Sequence, residues 1–163
     1  RFTFFAGSLD SPNNSDWAVN ALAPSVADPT NAALTVRQFS NTVEQGVGFL
    51  LSIPTGATTI TFKFRGRAAT APGAASVVSP MIYSRLIPNG SAMGTWSAGT
   101  NLSNLTIPTN AFFQYSNQTV SLASLGLTAG NTYQIELTRD ITPASGTNLA
   151  ANYLLAELTV EIA

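Results

Sequence analysis

TTITFKFRGR (58–67) sets Ile60, Phe62 and Phe64 at alternate positions, with Thr61, Lys63, Arg65 and Arg67 between them. Side chains along a β-strand point to opposite faces in turn, so this stretch predicts a strand with one apolar and one basic face. The same two-residue period precedes it in GVGFLLSI (46–53), where Val47, Phe49, Leu51 and Ile53 share a face, and a PTGA turn joins the two. LTVRQF (34–39) reads as a shorter strand before them. After a small-residue loop, SVVSPMIYSRLI (76–87) puts Val78, Ile82 and Leu86 on one face, with Pro80 implying an edge position or a bulge. A long loop, PNGSAMGTWSAGTN, leads to four more strands at 102–107, 112–122, 131–139 and 152–162.

Short strands punctuated by Gly, Pro and Asn, with no amphipathic helix among them, predict an all-β, eight-stranded antiparallel β-sandwich, and a jelly roll in particular. One sheet is then ordered 34–39, 152–162, 58–67, 112–122, and the other 46–53, 131–139, 76–87, 102–107. The domain occupies residues 34–163. Residues 1–33, rich in Pro, Asn, Ser and Asp, read as an extended N-terminal arm with little regular structure beyond one short helix in DWAVNALA. Its Phe2, Phe4, Phe5 and Trp17 have to be buried on the body or on a neighbouring subunit. An arm of that kind is removable without loss of the fold.

This topology places 152–162 beside 58–67. With Leu154, Ala156, Leu158, Val160 and Ile162 facing inward, Glu157 and Glu161 lie beside Lys63, Arg65 and Arg67. Arg85 falls next to Glu136 in the same way. Opposite charges on adjacent strands contribute roughly 0.2–1 kcal/mol per pair. This mixed-charge face, together with Arg1, is a candidate subunit interface.

The composition closes off several functions. Of 163 residues only 9% are charged, and the net charge is −1. A nucleic-acid binder needs many more phosphate-neutralising side chains. No apolar run approaches the roughly 20 residues that span a bilayer. There is no His and no Cys, which removes the Ser-His-Asp and Cys-His nucleophile systems and the thiolate and imidazole metal sites. Glu44, Glu136, Asp140, Glu157 and Glu161 are the carboxylates of the body; Glu136, Glu157 and Glu161 have basic neighbours within reach, Asp140 lies beside Arg139, and a paired carboxylate makes a poor raised-pKa acid. The chain therefore reads as a non-enzyme without a cofactor. DSPNNSD (10–16) and Asp28 read as turn and cap chemistry, and the Asn-X-Ser/Thr sequons at Asn13, Asn89, Asn101, Asn104 and Asn117 as chance in an Asn/Thr-rich chain.

EQGVGFLLSIPTGATTITFKFRGRAATAP, GTWSAGTNLSNLTIPTN and LASLGLTAGNTYQIELTRD resemble the jelly-roll capsid decoration, or cement, proteins of tailed bacteriophages. The resemblance implies a virion protein on the capsid exterior. Its partners would be the major capsid protein and copies of itself, as a trimer rather than a dimer, and it would stiffen the shell. LTAGNTYQIELTRD and NYLLAELTVEI are also similar to the closing strands of sandwich carbohydrate-binding modules, which gives the alternative of a glycan- or receptor-binding module. In that case Tyr83, Trp96 and Tyr115 are the side chains able to stack on a sugar.

Overall fold

The computed structural model describes residues 1–5, 9 and 25–163. Trp17, the expected helix in DWAVNALA and the 10–16 turn lie outside the described residues. Among the described residues eleven strands run in chain order: β1 (Phe2–Phe5), β2 (Ser25–Asp28), β3 (Asn31–Phe39), β4 (Gly46–Ser52), β5 (Thr59–Ala68), β6 (Ser76–Leu86), β7 (Thr100–Asn101), β8 (Leu105–Ile107), β9 (Gln114–Ser121), β10 (Thr132–Asp140) and β11 (Tyr153–Ile162). The larger sheet has the order β2-β3-β11-β5-β9, with β1 also on β11. The smaller has β4-β10-β6-β7, with β8 also on β6. All pairings between these strands are antiparallel. Both predicted jelly-roll sheet orders are present.

The period-2 pattern does the sorting. Ile60, Phe62 and Phe64 of β5 pack inward with Val47, Phe49 and Leu51 of β4, Ile135 and Leu137 of β10, and Val78 and Ile82 of β6, all of them buried. Pro80 sits inside β6, between the stretch paired with β8 (Ser76 to Val78) and the stretch paired with β7 (Met81 and Ile82). Its carbonyl accepts from Leu102 N at 2.8 Å on that side, so its missing N–H falls where the neighbouring edge is already interrupted.

Two expectations need correction. The first thirty or so residues do contain regular structure. β1 pairs with β11 from Phe2↔Val160 to Phe5↔Glu157, and β2 pairs with β3. Phe4 packs on this chain's own Phe49, with ring centroids 4.7 Å apart. The inward set of β11 also differs. The ladder to β5 runs Leu155↔Gly66 and then Glu157↔Arg65, so Ala156 is an extra, bulged residue. A bulge reverses the in–out phase of the residues before it. Tyr153 and Leu155 therefore join the main core. Leu154 and Ala156 join a second apolar cluster on the outer side with Val36, against which Val26, Leu34 and Phe113 pack.

Candidate functional site

The outer face of the larger sheet is a lattice of three rows. Register places Glu157, Arg65 and Tyr115 in the first, Thr3, Thr159, Lys63 and Asn117 in the second, and Glu161, Thr61 and Thr119 in the third. Lys63 Nζ lies 2.7 Å from Glu161 Oε2, and Arg1 Nε 3.6 Å from Glu161 Oε1. The hydrogen bond from Lys63 holds the Glu161 carboxyl below its usual range. Threonine hydroxyls tie neighbouring strands together within the rows, Thr61 to Thr119 at 2.8 Å and Thr3 to Thr159 at 3.2 Å.

Arg65 and Arg67 do not form the expected glutamate pairs. Glu157 stands opposite Arg65 but accepts from Thr159 Oγ1 at 3.1 Å. Arg65 instead lies 5.2 Å from the ring centre of Tyr115 and 5.7 Å from that of Phe113, a cation–π geometry. The aromatic partners come from β9 and the residue just before it, on the side of β5 away from Glu157. Arg67 is buried. Its Nη2 and Nε donate to Asp28 Oδ1 and Oδ2 at 2.6 and 2.9 Å, and Nη1 to Ala68 O at 3.0 Å and Ala111 O at 3.3 Å. The ion pair has no access to a partner subunit. Asp28 Oδ1 also accepts from Thr30 N and Asn31 N at 2.8 and 3.1 Å, so the expected turn-capping role is present as well. The Arg67 hydrogen bonds hold the Asp28 carboxyl well below the usual carboxylate range.

Of the three candidate sugar-stacking residues, Tyr115 is the exposed one, at 69%. Braced on one side by Arg65, it stands beside Asn117, which is exposed in the next row. Tyr83 and Trp96 lie on the outer face of the other sheet, so the three do not form one platform. Tyr83 is half-buried, and a Cβ on Gly99 would come within 2.7 Å of its ring. Its hydroxyl donates to Glu44 at 3.3 Å, and burial with the nearby Glu44 charge pushes its pKa up to about 12. Trp96 is half-buried, with the Arg85 guanidinium 4.7 Å from its ring centre. Arg85 sits opposite Gln134 and not Glu136, and donates to Gln134 Oε1 at 2.6 Å. That corrects the expected Arg85–Glu136 pair by one step of the ladder's face. Phe2 at 43% and Phe112 at 73% are exposed large apolar side chains. Phe5 enters the site through its backbone pairing with Glu157.

Glu44 and Asp140 are held by donors. Glu44 Oε1 also accepts from Thr138 Oγ1 at 3.1 Å. Asp140 does not pair with its neighbour Arg139 and accepts from Thr142 N at 2.8 Å. Arg139 points inward, where burial lowers its pKa to about 10, and donates to Ala151 O at 2.9 Å and Asn148 Oδ1 at 3.0 Å. Among the described residues no group of three His, Cys, Asp or Glu side chains could hold a metal, and no helix is long and apolar enough to cross a membrane. A cleft of about 390 Å³ opens between Thr70–Ser76 and Thr147–Ala151. Its lining is small and lacks aromatics, and its amide, Asn148, is already engaged by Arg139 and by Ile141 O.

Phe113 and Gln134 carry no signal in the sequence, and Asn117 reads there only as a chance sequon. Counting in twos from Tyr115 finds Asn117 on the same face. Phe113 and Gln134 become visible only through the register to Arg65 and Arg85.

No family model matches the chain, and no curated protein matches it in sequence. Among solved structures it is similar to a family 35 carbohydrate-binding module from an environmental isolate, with 18% identity and TM-score 0.48, covering 100% of this chain and 96% of that one. It is also similar to the CBM36 module solved with calcium and xylotriose, with 11% identity and TM-score 0.46, covering both chains fully at 100%. A third likeness, at 14% identity and TM-score 0.47, is to a Paenibacillus cycloisomaltooligosaccharide glucanotransferase solved with cycloisomaltoheptaose. It covers 97% of this chain and 18% of that enzyme. The jelly-roll sandwich rests on this chain's own strand order, and the neighbours named are carbohydrate-binding modules and part of an enzyme. A capsid decoration protein is not shown.

Proposed function

We propose that the chain is a non-catalytic glycan-binding β-sandwich module, and that its site is the outer face of the larger sheet around Tyr115. The observation that carries this is an exposed tyrosine ring, fixed from beneath by Arg65, at the corner of a flat lattice of hydroxyl, amide and paired charged groups. A sugar presents an apolar C–H face and a rim of hydroxyls. Tyr115 offers the first a flat, amphipathic surface. Asn117, Lys63, Thr61, Thr119 and Glu161 offer the second both donors and acceptors. The lattice is already hydrogen-bonded internally, so ordering it on binding costs little.

The test is a polysaccharide-binding screen followed by calorimetry. Tyr115→Ala is expected to weaken binding at least about tenfold, or about 1.4 kcal/mol, with the melting temperature unchanged. Trp96→Ala, on the opposite face, is expected to leave affinity unchanged. Absence of any glycan binding by the parent protein, or full binding by Y115A, sinks the reading.

A second reading places the molecule on the outside of a virion, with the major capsid protein against its exposed apolar side chains. What favours it is the exposure of Phe2 and Phe112, 43% and 73%, since large apolar side chains in the open suit a protein partner better than a glycan. Antibody labelling of intact particles separates the two. Label across a capsid supports the second reading.

A further inference from the structure

We propose that β9 is a dimerisation edge, and that two copies pair antiparallel along it about a two-fold axis at Asn117, merging their larger sheets into one. β9 ends the larger sheet, and among the described residues nothing pairs with its free side. Leu122 N donates to Thr58 O at 3.0 Å, on the β5 side. Antiparallel hydrogen-bonding direction alternates along a strand, so the even-numbered residues of β9 bond inward to β5. The backbone N–H and C=O groups of Tyr115, Asn117, Thr119 and Ser121 point outward.

An open edge of this length is normally blunted by charge, Pro, a bulge or brevity. QYSNQTVS has no charge and no proline, and its ladder to β5 is unbroken over eight residues. The other edges differ. β1 and β2 have four residues each, and β2 carries a bulge and Asp28. β7 and β8 have two and three. β4 begins Gly-Val-Gly, and strand-interior glycine weakens pairing.

The occupant is a second copy because β9 is complementary to itself. A two-fold perpendicular to the sheet keeps each outer face on the same side and requires facing residues of equal parity. Centring on Asn117 sets Tyr115 against Thr119 of the other copy, an aromatic–β-branched pair, and Asn117 against its own equivalent, an amide pair. On the inner side Ser116 meets Gln118. No like charges meet. The two Lys63 side chains stand three strand spacings apart, roughly 14 Å, beyond the Debye length of about 10 Å in ordinary salt. The pairing would double the lattice around Tyr115, but it stands independently of what that face binds. It also closes at two copies, unlike the trimer that the resemblance implied.

Sedimentation analysis of the full chain at high micromolar concentration tests this. The parent protein is expected at twice the mass of one chain. Asn117→Lys opposes two cations at the axis, and Asn117→Pro removes an outward N–H without touching the β5 ladder. Both are expected to run as single chains with melting temperatures within a few degrees of the parent. Thr119→Lys gives a second charge variant, and Leu50→Lys on β4 is the control expected to stay dimeric. A parent protein of single-chain or triple mass overturns the proposal. So does a dimer that persists in N117K and T119K, or one that L50K dissolves.

Discussion

Arg67 and Asp28 form the side-chain contact on which the most depends. Both are fully buried, and their bidentate pair joins β5 to the turn after β2. Removing one member leaves a buried charge alone, so Arg67→Ala is expected to cost roughly 3–5 kcal/mol, measurable by urea unfolding. Acid acts on the same contact. The folded-state pKa of Asp28 is depressed, so the unfolded chain binds this proton more readily. The stability it confers is complete above the unfolded value of about 3.9 and is lost as pH falls below it. Asp28→Asn is expected to flatten the fall in urea midpoint between about pH 5 and pH 3 relative to the parent. The alternation in TFKFRGR showed which face Arg67 leaves from. It could not show its partner, because Asp28 lies 39 residues earlier in a segment with no period of its own.

At the scale of elements, β11 is the most constrained strand, flanked by β5 on one side and by β1 and β3 on the other. Its bulge at Ala156 brings Tyr153 over Gly66, where an added Cβ would lie 2.1 Å from the tyrosine hydroxyl and 2.8 Å from Leu154 O. Gly66→Ala forces backbone or ring to move and is expected to cost about 1–3 kcal/mol, seen as a lower melting temperature. Strand positions and sheet order were legible because apolar residues recur every second position in 46–53 and 58–67. The bulge was not. YLLAEL is apolar at consecutive positions, so it satisfies either phase, and only the pairing with Gly66 and Arg65 decides between them.

For the whole molecule, the two outer faces carry different chemistry and do not share a site. The proposed glycan binding at Tyr115 is accordingly expected to be indifferent to substitution at Trp96. The first thirty residues read from composition as a removable arm, but β1, β2 and Asp28 pair with the body, and the opposite outcome is expected. Deleting 1–30 takes away β1, β2 and Asp28 and leaves Arg67 buried without its acid. The truncated chain is expected to melt at least about 5 °C lower, or not to fold, by circular dichroism. The placement of β11 also governs biosynthesis. The strand that joins β1, β3 and β5 spans residues 153–162, and the ribosome delivers it after all of its partners. Until it emerges, β1 and β3 have no ladder to β5, and the larger sheet has no centre. A nascent chain must therefore hold the β11 side of β5, and the partners β1 and β3, unpaired until residue 153 and those after it emerge. Chaperone dependence during translation, and aggregation of chains stalled before residue 153, follow from strand order alone.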